Sequence, residues 1–507
     1  MNKTVEKKST PFATASLVTA LSVSERGLGF LYRIVLSRLL GAEGVGLYQV
    51  ALSVFSVFLT VGTGGIPVTV SRLISKSKAE NNPKGEARAV GAGVLLCLLL
   101  TLPALLLVVF PKTVAFLFSD ERCVPVFRIL MIGLLFSALY AVVRGSFWGN
   151  KKFLLSSVLE LAEESVMVLA GVLLLQNITS VTSGANRAAV AVLISYLFSF
   201  TASALCFFFQ GGKLSRPKST FKPLFNATLP ITSVRASASL INSAVAVLLP
   251  AMLIRAGATE SNALRLFGIL SGMAIPVLFI PSTVVGSLAL VLVPELSEDF
   301  YRRNQTRLYK NISRGLSFAF LVACFLIPFF YALGDELGLL AFSEPLAGEF
   351  IKRGCFILLP MSITMISTAM LNSMGFERQT FLFYFIGAAS MLLCVLLLPA
   401  LCGAYAYLIG LGASFTVTAV CNLFLLGKSC KGLFRAFLPK KIYRLLRAVF
   451  AIPFLALFGV LAHLFFKRFF GAFLSLLFAC LFLFSCIFLS WLALGVLSLK
   501  KKKRKKT

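Results

Sequence analysis

Charge is scarce in this sequence. Only 13% of its 507 residues are Asp, Glu, Lys or Arg, about half the share found in soluble chains. That shortage excludes an ordinary multidomain soluble protein of this length. Histidine is scarcer still, with His463 alone. One histidine builds no metal cluster, and neither a Ser/His nor a Cys/His dyad is expected from it. The eleven cysteines include no CxxC pair. Cys97, Cys324, Cys394, Cys480 and Cys486 lie inside apolar stretches, where cysteine acts as a small core residue. No disulfide framework, metal site or cofactor is expected.

What the chain has instead is apolar length. Residues 91–110 and 469–499 carry no charge at all. A bilayer core of about 30 Å needs roughly 20 apolar residues in a helix, so both can span it. Unpaired backbone groups are not tolerated in lipid, which leaves helices or a closed barrel. These runs are too long and alternate too little for barrel strands. The expected fold is all-α and polytopic. Fourteen spans are predicted: 12–36, 44–68, 89–110, 124–143, 154–176, 188–209, 225–254, 264–294, 315–334, 354–374, 381–401, 404–426, 448–466 and 470–499.

The net charge of +30 would suggest nucleic acid in a soluble protein. Its placement argues otherwise. Thirty-five of the 49 basic residues fall in the termini and alternate loops, such as 69–88, 210–224, 295–314 and 427–447. Ten fall in the opposite set. This bias predicts both termini in the cytoplasm of a bacterial plasma membrane and removes the case for nucleic acid. The tail Lys500–Lys506 anchors that topology, and near anionic lipid each charge is worth ~1 kcal/mol. Lys7 and Lys8 precede an apolar stretch, but its length, its charges Glu25 and Arg26, and the lack of a small-residue cleavage site predict a retained helix. The outer loops are short, the longest about 335–353. They offer no polar surface for a transferase or ligase, and no enzyme is expected.

The chain contains a repeat. Residues 37–42 (SRLLGA) and 253–258 (LIRAGA) are similar at an offset of 216, each at the outer end of its half's first helix. Gly46-Leu47-Tyr48 follows the first and Leu266-Phe267-Gly268 the second. Gly149 through Leu154 likewise parallels Gly375 through Leu382. Six helices per repeat give two lobes of the same orientation with a cavity between them. The predicted organisation is 1–212 (first lobe), 213–430 (second lobe, with 210–224 as linker) and 431–507 (two further helices and the basic tail).

A few charges lie inside the spans. A charge at mid-bilayer costs at least ~2.5 kcal/mol, so it faces a cavity or a partner. Helix 1 carries Glu25, Arg26 and Arg33. The two arginines are seven apart and share a face, with Gly29 between them. Helix 7 carries Arg235 and Asn242 at the same spacing. Helix 5 carries Glu160, Glu163 and Glu164 on one face. Guanidinium groups bind phosphate oxygens in forked pairs, so arginines lining a cavity suit an anion. The alternative is that the glutamates satisfy Arg26, Arg33 and Arg235 and hold the lobes together. Arg128, near an outer helix end, is expected to snorkel. Gly62, Gly64, Gly65 and Pro67 in helix 2, and Pro276, Pro281 and Gly286 in helix 8, occupy corresponding places. They read as static kinks or as moving, substrate-lining breaks.

The segment Arg38-Leu39-Leu40-Gly41-Ala42-Glu43-Gly44-Val45-Gly46-Leu47-Tyr48-Gln49 resembles the first-loop signature of the polysaccharide-transporter branch of the multidrug/oligosaccharidyl-lipid/polysaccharide (MOP) flippase superfamily. Gly65 through Arg72, Leu292 through Glu298, and Ser156 followed by Glu160 are similar to further patterns of that branch, and most similar to its stage V sporulation protein B family. The resemblance covers roughly residues 12–430. It implies two six-helix lobes in a V, alternating access, and a lipid-linked saccharide or peptidoglycan precursor as cargo. It also implies that helix 1 arginines hold the cargo's charged head, near the places of Arg26 and Arg33. The related lipid II flippases carry an arginine in helix 8; residues 271–281 have none, and Arg235 is the candidate substitute. The last two helices are implied to shape a groove for the lipid tail. Membrane lipids, a coupling ion (H+ or Na+) and envelope-biosynthesis enzymes are the implied partners. Two other readings are a cation-coupled drug antiporter, using Glu25 and the helix 5 carboxylates, and a non-transporting envelope scaffold.

Overall fold

The computed structural model describes residues 11–110, 112–217, 220–429 and 433–494. Lys7, Lys8 and Lys500–Lys506 lie outside them. The described residues form helices and connecting turns, with no strand among them. They divide into two compact units, Met1–Gly268 and Ile269–Thr507.

The first unit opens with a single 53-residue helix, α1 (Pro11–Thr63). Two predicted spans merge in it, because the short link between them is itself helix-forming. Only Gly41 departs, at φ 69° and ψ 174°, a conformation that a side chain would make costly. It turns the chain without ending the helix. After a break at Gly64 and Gly65 come α2 (Ile66–Ala79), α3 (Pro83–Val109), the single turn α4 (Lys112–Ala115), α5 (Cys123–Gly149) and α6 (Phe153–Leu174). Then follow α7 (Val181–Phe209), α8 (Phe221–Arg255) and α9 (Glu260–Gly268). Sequence-encoded caps set several of these starts. The Asn82 side chain accepts from the Gly85 amide at 3.1 Å, with Pro83 opening α3, and Ser180 accepts from Ser183 at 3.2 Å. Such caps satisfy amides that have no partner in a helix's first turn.

The apolar face of α2 (Ile66, Val70, Ile74) packs into a buried core with Ala138, Val142 and Phe147 of α5. Farther along α1, the helix crosses α9 backbone to backbone. A Cβ at Gly46 would collide with the Leu264 carbonyl, and one at Gly268 would lie 2.6 Å from the Gly46 amide. Glycine on both sides is what lets α9 seat there. Thus α8 and α9, which the repeat assigns to the second lobe, pack with the first unit.

The second unit begins with a π-helical stretch, Ile269–Ala274, followed by α10 (Ile275–Leu278) and α11 (Ile280–Tyr301). Then come α12 (Gln305–Phe342), α13 (Pro345–Gly354), a 3-10 turn (Cys355–Ile357), α14 (Leu358–Ser373), α15 (Glu377–Leu397), the turn α16 (Pro399–Cys402), α17 (Tyr405–Ser429), α18 (Leu433–Lys467) and α19 (Ala472–Ala493). Val285 and Leu296 of α11 meet Ile312 of α12 and Ile366 and Met370 of α14 in one core. A second core joins Cys324 of α12 to Leu455 of α18 and to Leu483 and Trp491 of α19. Outward faces are apolar too: Phe454 is 66% exposed and Leu489 63%. Faces of that kind are soluble only in lipid.

Among the described residues, thirteen helical stretches are long and apolar enough to cross a membrane. They agree with the fourteen predicted spans once three differences are resolved. The run Ser16–Ala79 holds two spans in one stretch; α6 is excluded by its glutamates; and the predicted span 264–294 is divided at Phe279. The chain is an all-α polytopic membrane protein.

One expectation is corrected. His463 does have a serine partner: its Nδ1 lies 3.1 Å from Ser475 Oγ of α19. On its other side Nε2 is 3.2 Å from Glu336 Oε1 of α12, and Lys467 binds that same oxygen. Twelve residues and a helix turn separate His463 from Ser475, so the pair exists only once α18 and α19 fold back on each other. Ser475 is fully buried, and the cluster acts as a polar bracket holding the hairpin to α12.

Candidate functional site

The charges predicted to matter in the first unit fall into two groups. The first is built on α1, α5, α6 and α7. Along α1, Arg26 and Arg33 are exposed two turns apart, and Glu25 is half-buried. None of these three forms a hydrogen bond or ion pair among the described residues. Gly29 lies between the arginines on the side facing α6: a Cβ there would be 2.8 Å from Glu164 Oε1. A larger residue would displace that carboxylate. Glu164 therefore sits against α1, with Arg33 and Glu25 as its charged neighbours.

The three glutamates of α6 share a face in sequence but serve three helices. Glu164 faces α1. Glu163 lies against Ser199 of α7. Glu160 turns to α5, where its Oε1 is 3.2 Å from Nη1 of Arg144. Arg144 is a residue that sequence reading missed. It falls next to a turn rich in basic residues and reads there as a loop charge. The structure keeps it inside α5, because that helix runs on to Gly149. Its guanidinium carbon lies 5.2 Å from the ring centre of Trp148 and 5.7 Å from that of Tyr140, one turn to either side. The Trp148 indole in turn donates to Ser156 Oγ of α6 at 3.1 Å. The i, i+4 spacing of Tyr140, Arg144 and Trp148 was the available signal, since it stacks all three on one helical face.

The second group surrounds the break between α1 and α2. Arg235 of α8 donates from Nη1 to the Gly64 carbonyl at 2.8 Å. One turn along each helix, Thr60 and Ser239 are joined through their hydroxyls at 2.7 Å. A Cβ at Gly65 would lie 2.7 Å from the Thr228 carbonyl, so α8 approaches the break closely. A break leaves backbone carbonyls without helical donors, and Arg235 satisfies one of them. Pro67 opens α2 within its first turn. Asn242, two turns beyond Arg235, is exposed. Among the described residues Arg235 is not paired with a glutamate, nor bonded to Arg26 or Arg33.

Pro276 and Pro281 belong to the second unit. Each stands in the first turn of its helix, Pro276 of the short α10 and Pro281 of α11, where a missing N–H costs little. With the π-helical stretch before them, they interrupt the regular α-helical path of this segment. Arg128 donates to the Val108 carbonyl at 3.0 Å. Among the described residues, no group of three or more His, Cys, Asp or Glu is placed to hold a metal.

The second unit also has an open apolar cleft of about 700 Å³, lined by Phe356, Pro360, Leu408 and Thr416, with Arg353 at its edge. That arginine is already taken: it pairs with Glu349 at 2.6 Å and stacks on Tyr405, with Cζ 4.8 Å from the ring centre.

Comparison with known proteins agrees with this architecture. A family model described as polysaccharide biosynthesis protein matches residues 13–300. Stage V sporulation protein B of Bacillus subtilis (strain 168) is 26% identical over 360 residues, covering 66% of this chain and 67% of that protein. Lipid II flippase MurJ of the same strain is 22% identical over 319 residues, covering 57% of this chain and 58% of that protein. Among solved structures, a lipid II flippase MurJ in an inward closed conformation superposes with a TM-score of 0.73 at 13% identity, covering 94% of this chain and 98% of that one.

Proposed function

The chain belongs to the polysaccharide biosynthesis protein family, within the MOP flippase superfamily, and from that premise we propose that it is a flippase for a polyprenyl-pyrophosphate-linked oligosaccharide or peptidoglycan precursor. Cargo of this kind has a charged head that cannot cross hydrocarbon unaided. It needs a polar, cationic passage while its tail stays in lipid.

The observation that carries the proposal is the state of α1. Arg26 and Arg33 stand exposed within an apolar span, and among the described residues neither is hydrogen-bonded or ion-paired, the nearby carboxylates Glu25 and Glu164 being charged neighbours only. Unpaired arginines there are costly unless an anion visits them. A pyrophosphate supplies that anion, and the guanidinium fork matches its oxygens. Glu25 is assigned to orienting the arginines, and Glu160, Glu163 and Glu164 to coupling by H+ or Na+. Arg235 and Asn242 are assigned to the α8 side of the passage. Arg235 holds the Gly64 carbonyl through Nη1, which leaves its other N–H donors for cargo. The breaks at Gly64, Gly65 and Pro67, and at Pro276 and Pro281, are assigned as the hinges of alternating access. By the distribution of basic loops, both termini face the cytoplasm and cargo loads from the inner leaflet.

A translocation assay in proteoliposomes with a fluorescent polyprenyl-pyrophosphate saccharide tests the proposal. Arg26→Ala and Arg33→Ala should abolish transport while the protein remains folded. Undiminished flipping in both variants would overturn the assignment of the site.

A further inference from the structure

We propose that Arg144 is a third arginine of the anion site, held by Glu160 when the site is empty and transferred to the cargo's pyrophosphate when it loads. The inference rests on the flippase reading above and extends it to a residue outside the α1 pair.

Four observations converge on it. First, Arg144 is linked to Glu160 through one guanidinium nitrogen only, at 3.2 Å. A guanidinium has five N–H donors in a fixed fork, so most of this one is uncommitted. Second, its Nε is buried without an acceptor, and so is the hydroxyl of Tyr140 one turn away. Two unsatisfied polar groups on one helical face are costly, and an incoming oxygen-rich anion offers acceptors to both. Third, the guanidinium plane is pre-set. Tyr140 and Trp148 flank it, and the Trp148 indole is fixed in turn by Ser156. A cation whose orientation is fixed before binding loses little entropy when it forms a forked pair. Fourth, Arg144 belongs with the α1 charges: Glu25 has both Arg26 and Arg144 among its charged neighbours. Glu25 is thus a charged neighbour of both an α1 arginine and Arg144.

Position strengthens the argument. Arg144 lies inside α5, five residues before its end at the α5–α6 link, whereas Arg26 lies fifteen residues into α1. With cargo loading at the end where α5 and α6 join, Arg144 is the first of the arginines that a pyrophosphate meets. Glu160 then has two roles. It neutralises Arg144 in the empty state, and it competes with the cargo for it. No bond is made or broken beyond the exchange of one carboxylate for a phosphate oxygen at the guanidinium.

The test uses the full-length protein in lipid nanodiscs, with undecaprenyl pyrophosphate as probe and undecaprenol as the anion-free control. Wild-type protein should bind the pyrophosphate in preference to the alcohol. Arg144→Gln should weaken pyrophosphate binding about ten- to a hundredfold, the scale of losing hydrogen bonds to a charged group. Arg144→Lys should recover only part of the loss, because an ammonium is not forked. Glu160→Gln carries the sharpest prediction: it removes the competitor and should tighten binding severalfold. Arg128→Gln, which deletes a positive charge whose one bond among the described residues is to the Val108 carbonyl, should bind as wild type does. If Arg144→Gln does not fold, Glu160→Gln decides alone. Binding unchanged or weakened in Glu160→Gln makes the pair a structural strut and overturns the inference. Wild-type binding equal for the two probes overturns the flippase reading, and this inference with it.

Discussion

The two units treat charge in opposite ways. In the second, several polar groups near the helix ends are matched. Glu336 meets His463 and Lys467; Lys352 binds Asp335 at 2.7 Å; Glu349 accepts from Arg353 and from the Tyr405 hydroxyl at 2.7 Å; and Asn311 donates to the buried Asp299 at 2.9 Å. In the first unit, Arg122 is matched in the same fashion by Asp120 and Glu43, outside the spans. Those two carboxylates, with the Asp120 hydrogen bond foremost, raise the guanidinium's proton affinity further, so it is charged at every physiological pH. Along α1, deeper in that unit, the matching stops. Among the described residues Arg26, Arg33 and Glu25 have no bonded partner, and Arg144 has one hydrogen-bond partner, Glu160. Matched charges fix helices against each other. Unmatched charges inside apolar spans have a cost that only a visiting ligand recovers. The comparison therefore separates framework from working surface by a criterion independent of ancestry.

The strongest way to break this comparison is to substitute on both sides of it and read transport and stability separately. Arg26→Ala with Arg33→Ala should reduce translocation by about a hundredfold or more, because each arginine contributes charge-assisted hydrogen bonds to the cargo head. Thermal stability in detergent should hold or rise, since no native partner is lost. In the second unit the pattern should invert. Glu336→Gln should cost about 1–3 kcal/mol, the range for leaving buried polar partners unmatched, and lower the unfolding temperature. Transport per folded molecule should be unchanged. If Glu336→Gln reduces transport as strongly as the arginine pair does, unmatched charge is not the mark of the working surface.

Next in size is the glycine crossing of α1 and α9. Gly46→Leu puts a side chain where the Leu264 carbonyl already lies. Overpacking of this kind costs about 1–3 kcal/mol, and here the obstacle is backbone that cannot rotate away. The expected outcome is a lower unfolding temperature with α9 displaced from α1, seen as faster hydrogen exchange across Glu260–Gly268. Exchange equal to wild type would show that the crossing tolerates a gap.

Much of this was legible in the sequence, and the reasons for the rest are specific. Apolar runs of about 20 residues have one stable solution in lipid, so span existence followed from composition. Span boundaries did not, because Gly41 redirects α1 without breaking it, and a helix continuing through a polar link leaves no apolar signature. The in-span charges were visible as anomalies. Their partners were not: spacing put Glu160, Glu163 and Glu164 on one face, yet the helices around α6 divide that face among α5, α7 and α1. Arg144 was hidden for a related reason. A basic residue beside a turn is the commonest topological signal in such chains, and only the run of α5 to Gly149 shows it to be something else. His463 looked isolated because Ser475 and Glu336 reach it from other helices.

The smallest expected effect concerns the break itself. Thr60 and Ser239 join α1 to α8 through one hydroxyl pair at 2.7 Å, one turn from the Arg235 bond to Gly64. Interhelical hydrogen bonds in membrane proteins are worth about 0.6 kcal/mol on average. Thr60→Val removes the hydroxyl and keeps the shape, so the loss in stability should be of that order. Arg235→Ala should cost more, because it leaves a carbonyl at a helix break without its donor. The two substitutions act on one seam through different bonds, so their sum is informative. If the double variant loses only what Arg235→Ala loses alone, the hydroxyl pair depends on the arginine, and the seam opens as a unit. If the losses add, each bond holds independently. The break at Gly64 could then move while Thr60 and Ser239 keep α8 seated on α1.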